Sequence, residues 1–253
     1  MGRRNMRVNK QKDGIIGYLG PRGTFSEQAA FIYKERLKKG PAQILMKPMD
    51  SIQALIVATN KGELDAAVVP LENSMEGSIV LTLDMLAHEV DLSISGEIIV
   101  PVKHNLLGKP GLTKTDLASV MSHPQALAQC RAFLTKCLPK AKLVPASSTA
   151  EAARLVALSR EALGAVGTAV AAELYGLEVL AEDIQDNNAN ATRFCILTTE
   201  DGEFTGDDKT SIVFSPKENR AGTLYEHLRI FASRNIDLTR IESRPAKRIL
   251  GEY

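Results

Sequence analysis

Short apolar runs alternate with helix starts along most of the chain, and this alternation restricts the fold more than any other feature. The runs GIIGYLG (14–20), LDAAVVP (64–70), LSISGEIIV (92–100), LASVMS (117–122), AVG (165–167), LEVL (177–180) and RFCILTT (193–199) read as strands. Between them lie TFSE at Thr24, DSIQ at Asp50, SHPQ at Ser122 and STAE at Ser148. Each places a capping side chain three residues before Glu or Gln, so that side chains satisfy the free amides of a helix start. Gly40 and Pro41 are expected to stop the first helix. Such alternation predicts an α/β fold with a largely parallel or mixed sheet. Nothing repeats at a fixed period, which excludes a solenoid.

Length and charge narrow the function. A chain of 253 residues allows more than one domain. A net charge of +1 argues against nucleic acid as a partner. The first twelve residues hold Arg3, Arg4, Arg7, Lys10 and Lys12 and no acid, with no apolar stretch behind them. They do not read as a secretory signal, and Met6 stands where N-myristoylation wants Ser or Thr. Residues 1–13 are expected to be a disordered basic tail. No window is apolar for long enough to span a membrane.

Three cysteines without CxxC spacing oppose a disulfide framework and a zinc site, and Cys130 and Cys137 are expected to be buried thiols on a helix. His88, His104, His123 and His227 are scattered without an HExxH pattern, so no metal is expected. A cytoplasmic location follows from the same features.

The acidic, glycine-bearing stretch at 200–209, EDGEFTGDDK, reads as a linker (201–209). Beyond it come TSIVFSP, then Leu224, Leu228, Phe231 and Ala232 at helical spacing, then IDLTRIESRP: a β-α-β order. The chain stops at Tyr253, too soon for the second half of a βαββαβ module, and a βαβ alone leaves an open sheet edge.

Four strand ends run directly into polar helix starts: GYLGPRGTFSE, VVPLENSMEGSI, VMSHPQALAQC and VPASSTAEAA. Ligands of open α/β sheets settle outside the carboxyl ends of strands, where helix N-termini offer amides to anions. With DNNANATRF (186–194), whose Asn and Asp also serve as plain turn formers, these openings suit a small polar anion.

GPRGTFSEQAA, PLENSMEGSI, SHPQALAQC, STAEAA and NANATRF, in this order and spacing, resemble the prephenate dehydratase family followed by the start of an ACT regulatory domain. The resemblance covers residues 14–253. It implies a two-lobed catalytic domain at 14–200, like a type 2 periplasmic binding protein, with the active site between the lobes. Its second lobe would span about 92–176, and a partial ferredoxin-like (ACT) βαβ would occupy 210–253. The implied reaction removes carbon dioxide and a ring hydroxyl from prephenate, leaving phenylpyruvate for phenylalanine biosynthesis. Aromatisation drives that reaction, so no cofactor is expected.

In the family pattern Thr192 is the proton-assisting, catalytic residue, and Asn73, Ser122 and Gln129 bind substrate or place protons. Thr24 and Ser148, at two of the capped helix starts, join the substrate-binding set. Gln129 faces the cleft or turns away along its helix. Arg193 clamps a carboxylate or braces the loop, since strand neighbours face opposite ways. Phe194 lines a ring pocket or enters the core. Asn187, Asn188 and Asn190 support the loop, and His123, directly before Pro124, reads as structural.

RAGTLY (220–225) and IESRP (241–245) match the phenylalanine-binding segments of the family's ACT domain, which act at a dimer interface. The effector set is then Gly222, Thr223, Leu224, Glu242, Ser243, Arg244 and Pro245. Ala221 and Thr223 depart from the usual Pro-Gly-Ala-Leu. Either the module is truncated, or feedback and the dimer are impaired. A dimer or tetramer is expected if it is complete. Arogenate dehydratase shares the fold and chemistry, and no residue separates the two. A non-catalytic ligand-binding protein with the same cleft would not need the TRF threonine.

Overall fold

The structure, a computed structural model, describes residues 14–37, 43–202, 204–216 and 220–247. The chain divides into two compact units after Glu203, inside the expected linker. The basic tail and the expected Gly40–Pro41 stop lie outside the described residues.

The first unit holds β1 (Gly14–Leu19), α1 (Phe25–Leu37), β2 (Ile44–Met49), α2 (Ile52–Asn60), β3 (Ala66–Asn73), the short β4 (Gly77–Ser78), α3 (Val80–His88) and β5 (Ser93–Pro101). It continues with β6 (Asn105–Gly108), β7 (Ser119–Ser122), α4 (Pro124–Gln129), α5 (Arg131–Cys137), β8 (Lys142–Pro145), α6 (Thr149–Leu158), β9 (Leu163–Gly167), α7 (Ala169–Tyr175), β10 (Glu178–Ala181) and β11 (Ala191–Thr198). These strands build two sheets. One runs β2-β1-β3-β11-β5 with β4 beside β3, and the other β10-β6-β9-β7-β8.

In the first sheet β1 pairs parallel with β2 and β3, while β11 runs antiparallel between β3 and β5. Alternation along β11 feeds both faces, as the pleat requires. Phe194 and Ile196 join Ile16, Tyr18, Val68, Ile98 and Val100 under Ala29 and Ala30 of α1. Cys195 and Leu197 pack with Leu55, Ile56, Val69 and Met85 of the opposite layer. Each fully buried large aliphatic residue here contributes about 1.5–3 kcal/mol. Gly17 admits this packing, because a Cβ there would lie 2.5 Å from Leu64 and 2.6 Å from Leu55. The second sheet is layered alike: Leu106, Val120, Val166 and Leu134 pack on one face, and Leu107, Ala165 and the alanines of α6 and α7 on the other.

Strand membership moves the second lobe from the expected 92–176. LSISGEIIV is not its first strand, because β5 pairs with β11 along its length in the first sheet. LEVL is not the return, because β10 still pairs with β6 in the second sheet. The chain therefore crosses out after Pro101 and returns before Ala191. The two crossings lie side by side: Val102 N–H donates to Asn190 O (2.9 Å) and Ile184 N–H to His104 O (2.8 Å).

Two of the four expected helix caps shift by one residue. Thr24 accepts from Glu27 N–H (3.3 Å) and Ser148 from Glu151 N–H (3.0 Å), as expected. In DSIQ the cap is Ser51, which accepts from Ala54 N–H (3.0 Å). In SHPQ it is His123, whose Nδ1 accepts from Gln125 N–H (3.3 Å). Pro124 at the first helical position keeps the preceding residue extended, which gives that residue the cap. Cys130 is buried between α4 and α5 as expected, but Cys137, ending α5, is exposed.

In the second unit, α8 (Thr223–Ala232) starts from Gly222, whose φ of +90° suits glycine. The flanking TSIVFSP and IDLTRIESRP form no strand among the described residues, contrary to the expected βαβ. No described residue of this unit is buried, though Phe214 stacks on His227 with centroids 5.1 Å apart.

Candidate active site

β3 and β11 are neighbours in register, with Thr192 opposite Asn73. Asn73 Nδ2 donates to Thr192 Oγ1 (2.9 Å), Asn190 Oδ1 (2.9 Å) and Ala191 O (3.3 Å). Its Oδ1 accepts from the backbone amides of Met75 (2.9 Å) and Glu76 (3.1 Å). Backbone N–H groups only donate, so they fix which end of the Asn73 amide is oxygen. Thr192 Oγ1 therefore receives a hydrogen bond from Asn73, and its own hydrogen is directed elsewhere. Asn73 and Asn190 are 8% and 3% exposed, so their network is sheltered from competing water.

Arg193 and Phe194 both find partners within the first sheet. A register shift between them against β3 follows Thr192. Arg193 pairs with Glu97 and with Glu72 (Nε to Oε2, 3.4 Å), bracing three strands. Phe194 is in the core. The loop asparagines tie their own segment: Asn187 Oδ1 accepts from Ala189 N–H (2.8 Å), and Asn188 Oδ1 from Gln185 Nε2 (2.7 Å).

Gln129, the last residue of α4, faces the cleft from the second lobe. Its Oε1 lies 3.0 Å from His104 Nε2, and its backbone carbonyl accepts from Asp186 N–H at 2.7 Å. The Asp186 carboxylate in turn accepts from Ala132 N–H at 3.1 and 3.2 Å, capping α5 across the loop. Between the lobes is a cavity of about 460 Å³ walled by Met75, Glu76, Gln125, Ala128, Gln129, Gln185, Asp186, Asn187 and Asn190. That volume suits a small molecule. Amides supply most of its polar wall, and no Lys or Arg is among its lining residues. Thr192 and Asn73 stand beside the cavity, joined to its wall through Asn190.

The remaining expected residues are not among the lining of this cavity. Ser122 is fully buried and donates to Val166 O (2.7 Å), so its hydrogen is spent within the second sheet. Ser148 caps α6, and Thr24 caps α1 while donating to Pro21 O (3.0 Å). The loop before Thr24 also joins the lobes. Thr168 Oγ1 donates to Gly23 O at 2.8 Å, and a Cβ on Gly23 (φ +85°) would lie 3.1 Å from the Ala171 Cβ. Beneath this loop Tyr18 donates to Glu27 Oε1 (3.0 Å), and burial and that carboxylate push its pKa well above the usual phenol value.

Sequence reasoning passed over His104, Gln185 and Thr168. His104 is 2% exposed, stands edge-on to Phe25 at 5.6 Å, and donates its backbone N–H to Gln185 Oε1 at 2.8 Å. Burial pushes its pKa down and the Gln129 contact partly opposes this. No local sequence signal marks His104, because its place at the lobe crossing follows from strand pairing. In the second unit Gly222, Thr223 and Leu224 open α8, and Glu242 pairs with Arg240 (2.6 Å) and Arg244 (4.0 Å). Ser243 and Pro245 lie in the same irregular segment. No group of described residues has the composition of a metal site.

The fold and site define a two-lobed α/β protein with an amide-walled cleft for a small molecule and a directed threonine hydroxyl at its side. The sequence profile described as prephenate dehydratase matches residues 16–202, and the chain belongs to that family. A prephenate dehydratase of Methanocaldococcus jannaschii is 43% identical over 240 residues, covering 93% of this chain and 84% of the relative. The bifunctional chorismate mutase/prephenate dehydratase of Aquifex aeolicus is 40% identical over 246 residues, covering 97% of this chain but 65% of that longer protein. The crystal structure of prephenate dehydratase from Arthrobacter aurescens in complex with L-Phe has a TM-score of 0.81 and 38% identity, covering 94% of this chain and 78% of that one.

Proposed function

We propose that this chain catalyses the decarboxylating dehydration of prephenate to phenylpyruvate, a carbon–oxygen lyase reaction in phenylalanine biosynthesis. The observation that carries the reading is the Asn73–Thr192 hydrogen bond of 2.9 Å beside the interlobe cavity. As the ring carboxylate leaves as carbon dioxide, the electron pair of the breaking C–C bond enters the ring. The C–O bond across the ring breaks, and the departing hydroxide takes up a proton to become water. One proton is consumed per turnover, drawn ultimately from solvent. Asn73 donates to Thr192 Oγ1 and leaves the threonine hydrogen for the departing oxygen, where charge develops. Gln129 offers its amide to the substrate from the other lobe. Aromatisation supplies the driving force, so the reaction calls on no electron-sink cofactor.

Phenylalanine is the effector in this reading, bound around Gly222–Leu224 and Glu242–Pro245 in a homo-oligomer. The L-Phe complex of the Arthrobacter relative supports it. The setting is cytoplasmic, and among the described residues no helix is long and apolar enough to cross a membrane.

The test follows phenylpyruvate by its ultraviolet absorbance, with prephenate and with arogenate, for wild type, Thr192→Ser and Thr192→Ala. Positioned proton assistance is typically about 10²–10⁴-fold. Thr192→Ala should lose kcat on that scale and Thr192→Ser should keep most of it, with native circular dichroism in both. A folded wild type that binds prephenate without converting it overturns the enzymatic reading. Faster turnover of arogenate reassigns the substrate. Titrating L-Phe into the same assay tests the effector.

A further inference from the structure

We propose that His104 is a positioning residue of this site: as the neutral imidazole protonated on Nε2, it donates to Gln129 Oε1 and turns the Gln129 NH₂ group into the cavity. Its effect on turnover rests on the dehydratase reading, whereas the geometry does not.

Both partners are held from behind. The Gln129 backbone carbonyl is fixed by Asp186 N–H at 2.7 Å. His104 is fixed through its backbone N–H on Gln185 Oε1 (2.8 Å), its carbonyl on Ile184 N–H (2.8 Å) and its ring edge on Phe25. Gln129 lines the cavity, and its side-chain oxygen sits 3.0 Å from His104 Nε2. The other end of that carboxamide, its pair of N–H donors, is then what faces a ligand.

The ring has one buried nitrogen, Nδ1, without a partner among the described residues. With the proton on Nε2, the unpaired Nδ1 is only an acceptor. With the proton on Nδ1, a buried N–H has no acceptor, the rarer and costlier condition. Nε2 would then also face the Gln129 oxygen lone pair to lone pair, unless the amide turned over and put its oxygen in the cavity. A substrate bearing two carboxylates needs donors there. His104 does not line the cavity, so it acts through Gln129 and not on the substrate.

The experiment measures kcat and KM for prephenate in His104→Phe, His104→Gln, Gln129→Ala and the double variant His104→Phe/Gln129→Ala. Groups that orient a functional residue from behind are typically worth about 10–100-fold in activity, a range drawn from metal sites. His104→Phe should lose about tenfold or more in kcat/KM. His104→Gln, whose amide reaches close to Nε2, should recover most of it, and His104→Phe should add no loss once Gln129 is alanine. A merely structural histidine would give equal losses in both backgrounds and no rescue by glutamine, and that result overturns the proposal.

The ¹⁵N shifts of the wild-type imidazole provide a second measurement that needs no variant to fold. Protonation on Nε2 with a bare Nδ1 supports the proposal, and the opposite tautomer overturns it. Wild type inactive on prephenate but showing the Nε2–H tautomer would sink the dehydratase reading and leave the positioning of Gln129 standing.

Discussion

Replacing Asn73 with aspartate changes one NH₂ group to an oxygen in a side chain of the same shape, and it tests the direction of the Thr192 hydrogen. The two contacts made by Oδ1, to the amides of Met75 and Glu76, survive, so the turn after β3 is kept. The three contacts made by Nδ2 do not. Thr192 is then faced by an acceptor and turns its hydrogen inward, while the new oxygen meets Asn190 Oδ1 and Ala191 O. At about 0.5–1.5 kcal/mol per lost hydrogen bond, with some repulsion added, stability should fall by about 2–4 kcal/mol.

Losing one directed donor from the departing oxygen should lower kcat by about 10²–10³-fold. The assay is phenylpyruvate formation from pH 8 to pH 5, corrected for the folded fraction from an unfolding curve. Burial and the facing oxygens of Asn190 and Ala191 favour the protonated carboxyl, while the amides of Met75 and Glu76 favour the carboxylate, and the pH profile reads the balance. Protonated, the new carboxyl regains a hydrogen to give to Thr192. Activity relative to wild type should therefore rise as pH falls through its pKa. A well-folded Asn73→Asp enzyme with kcat within about threefold of wild type at pH 8 would refute the argument. So would a loss carried wholly by KM.

Two further predictions concern residues away from the reacting atoms. Arg193→Gln removes the cation that Glu72 and Glu97 share across three strands; with all three side chains about one-third exposed, stability should fall by only about 1 kcal/mol and kcat should change less than threefold. A large loss of prephenate binding in a folded variant would instead make Arg193 a substrate clamp. Burial pushes the Cys130 and Cys195 thiols up to about 12, while Cys137 is exposed. A disulfide reagent should therefore modify one thiol quickly in the native protein and all three after denaturation, and two fast native thiols would contradict the packing.

The alternation of apolar runs and caps was enough to read the α/β class, because pleat and helix period are local properties of the chain. The pairing of Thr192 with Asn73 was partly legible, since both stand at strand ends next to polar turns. Long-range choices were not. Nothing near Arg193 announces Glu97, 96 positions away, and nothing near His104 announces Gln129, 25 positions on. The lobe boundaries depended on which strands pair, and an apolar run looks the same in either sheet. β6 escaped notice, and so did β2, where Lys47 and Pro48 break the apolar pattern. Ser122 read as a cap until Pro124 is seen to move the helix start by one residue. TSIVFSP had strand propensity but pairs with no strand among the described residues.

The adjacency of the two crossings bears on how such a chain could be rebuilt. β5 and β11 are antiparallel neighbours matched as far as Pro101 opposite Ala191, the residues at which the chain leaves and re-enters the first sheet. Topologically, the whole second lobe is an insertion at the tip of a β-hairpin, the kind of place where chains accept added segments most readily. Entropically its length matters little, because closing a longer loop adds cost only logarithmically, and a lobe with its own core brings its ends together by folding. The cleft is therefore a seam between a host hairpin and its graft, and the residues nearest the seam, His104 on the outbound side and Gln185 to Thr192 on the return, either line the cavity or hold residues that do.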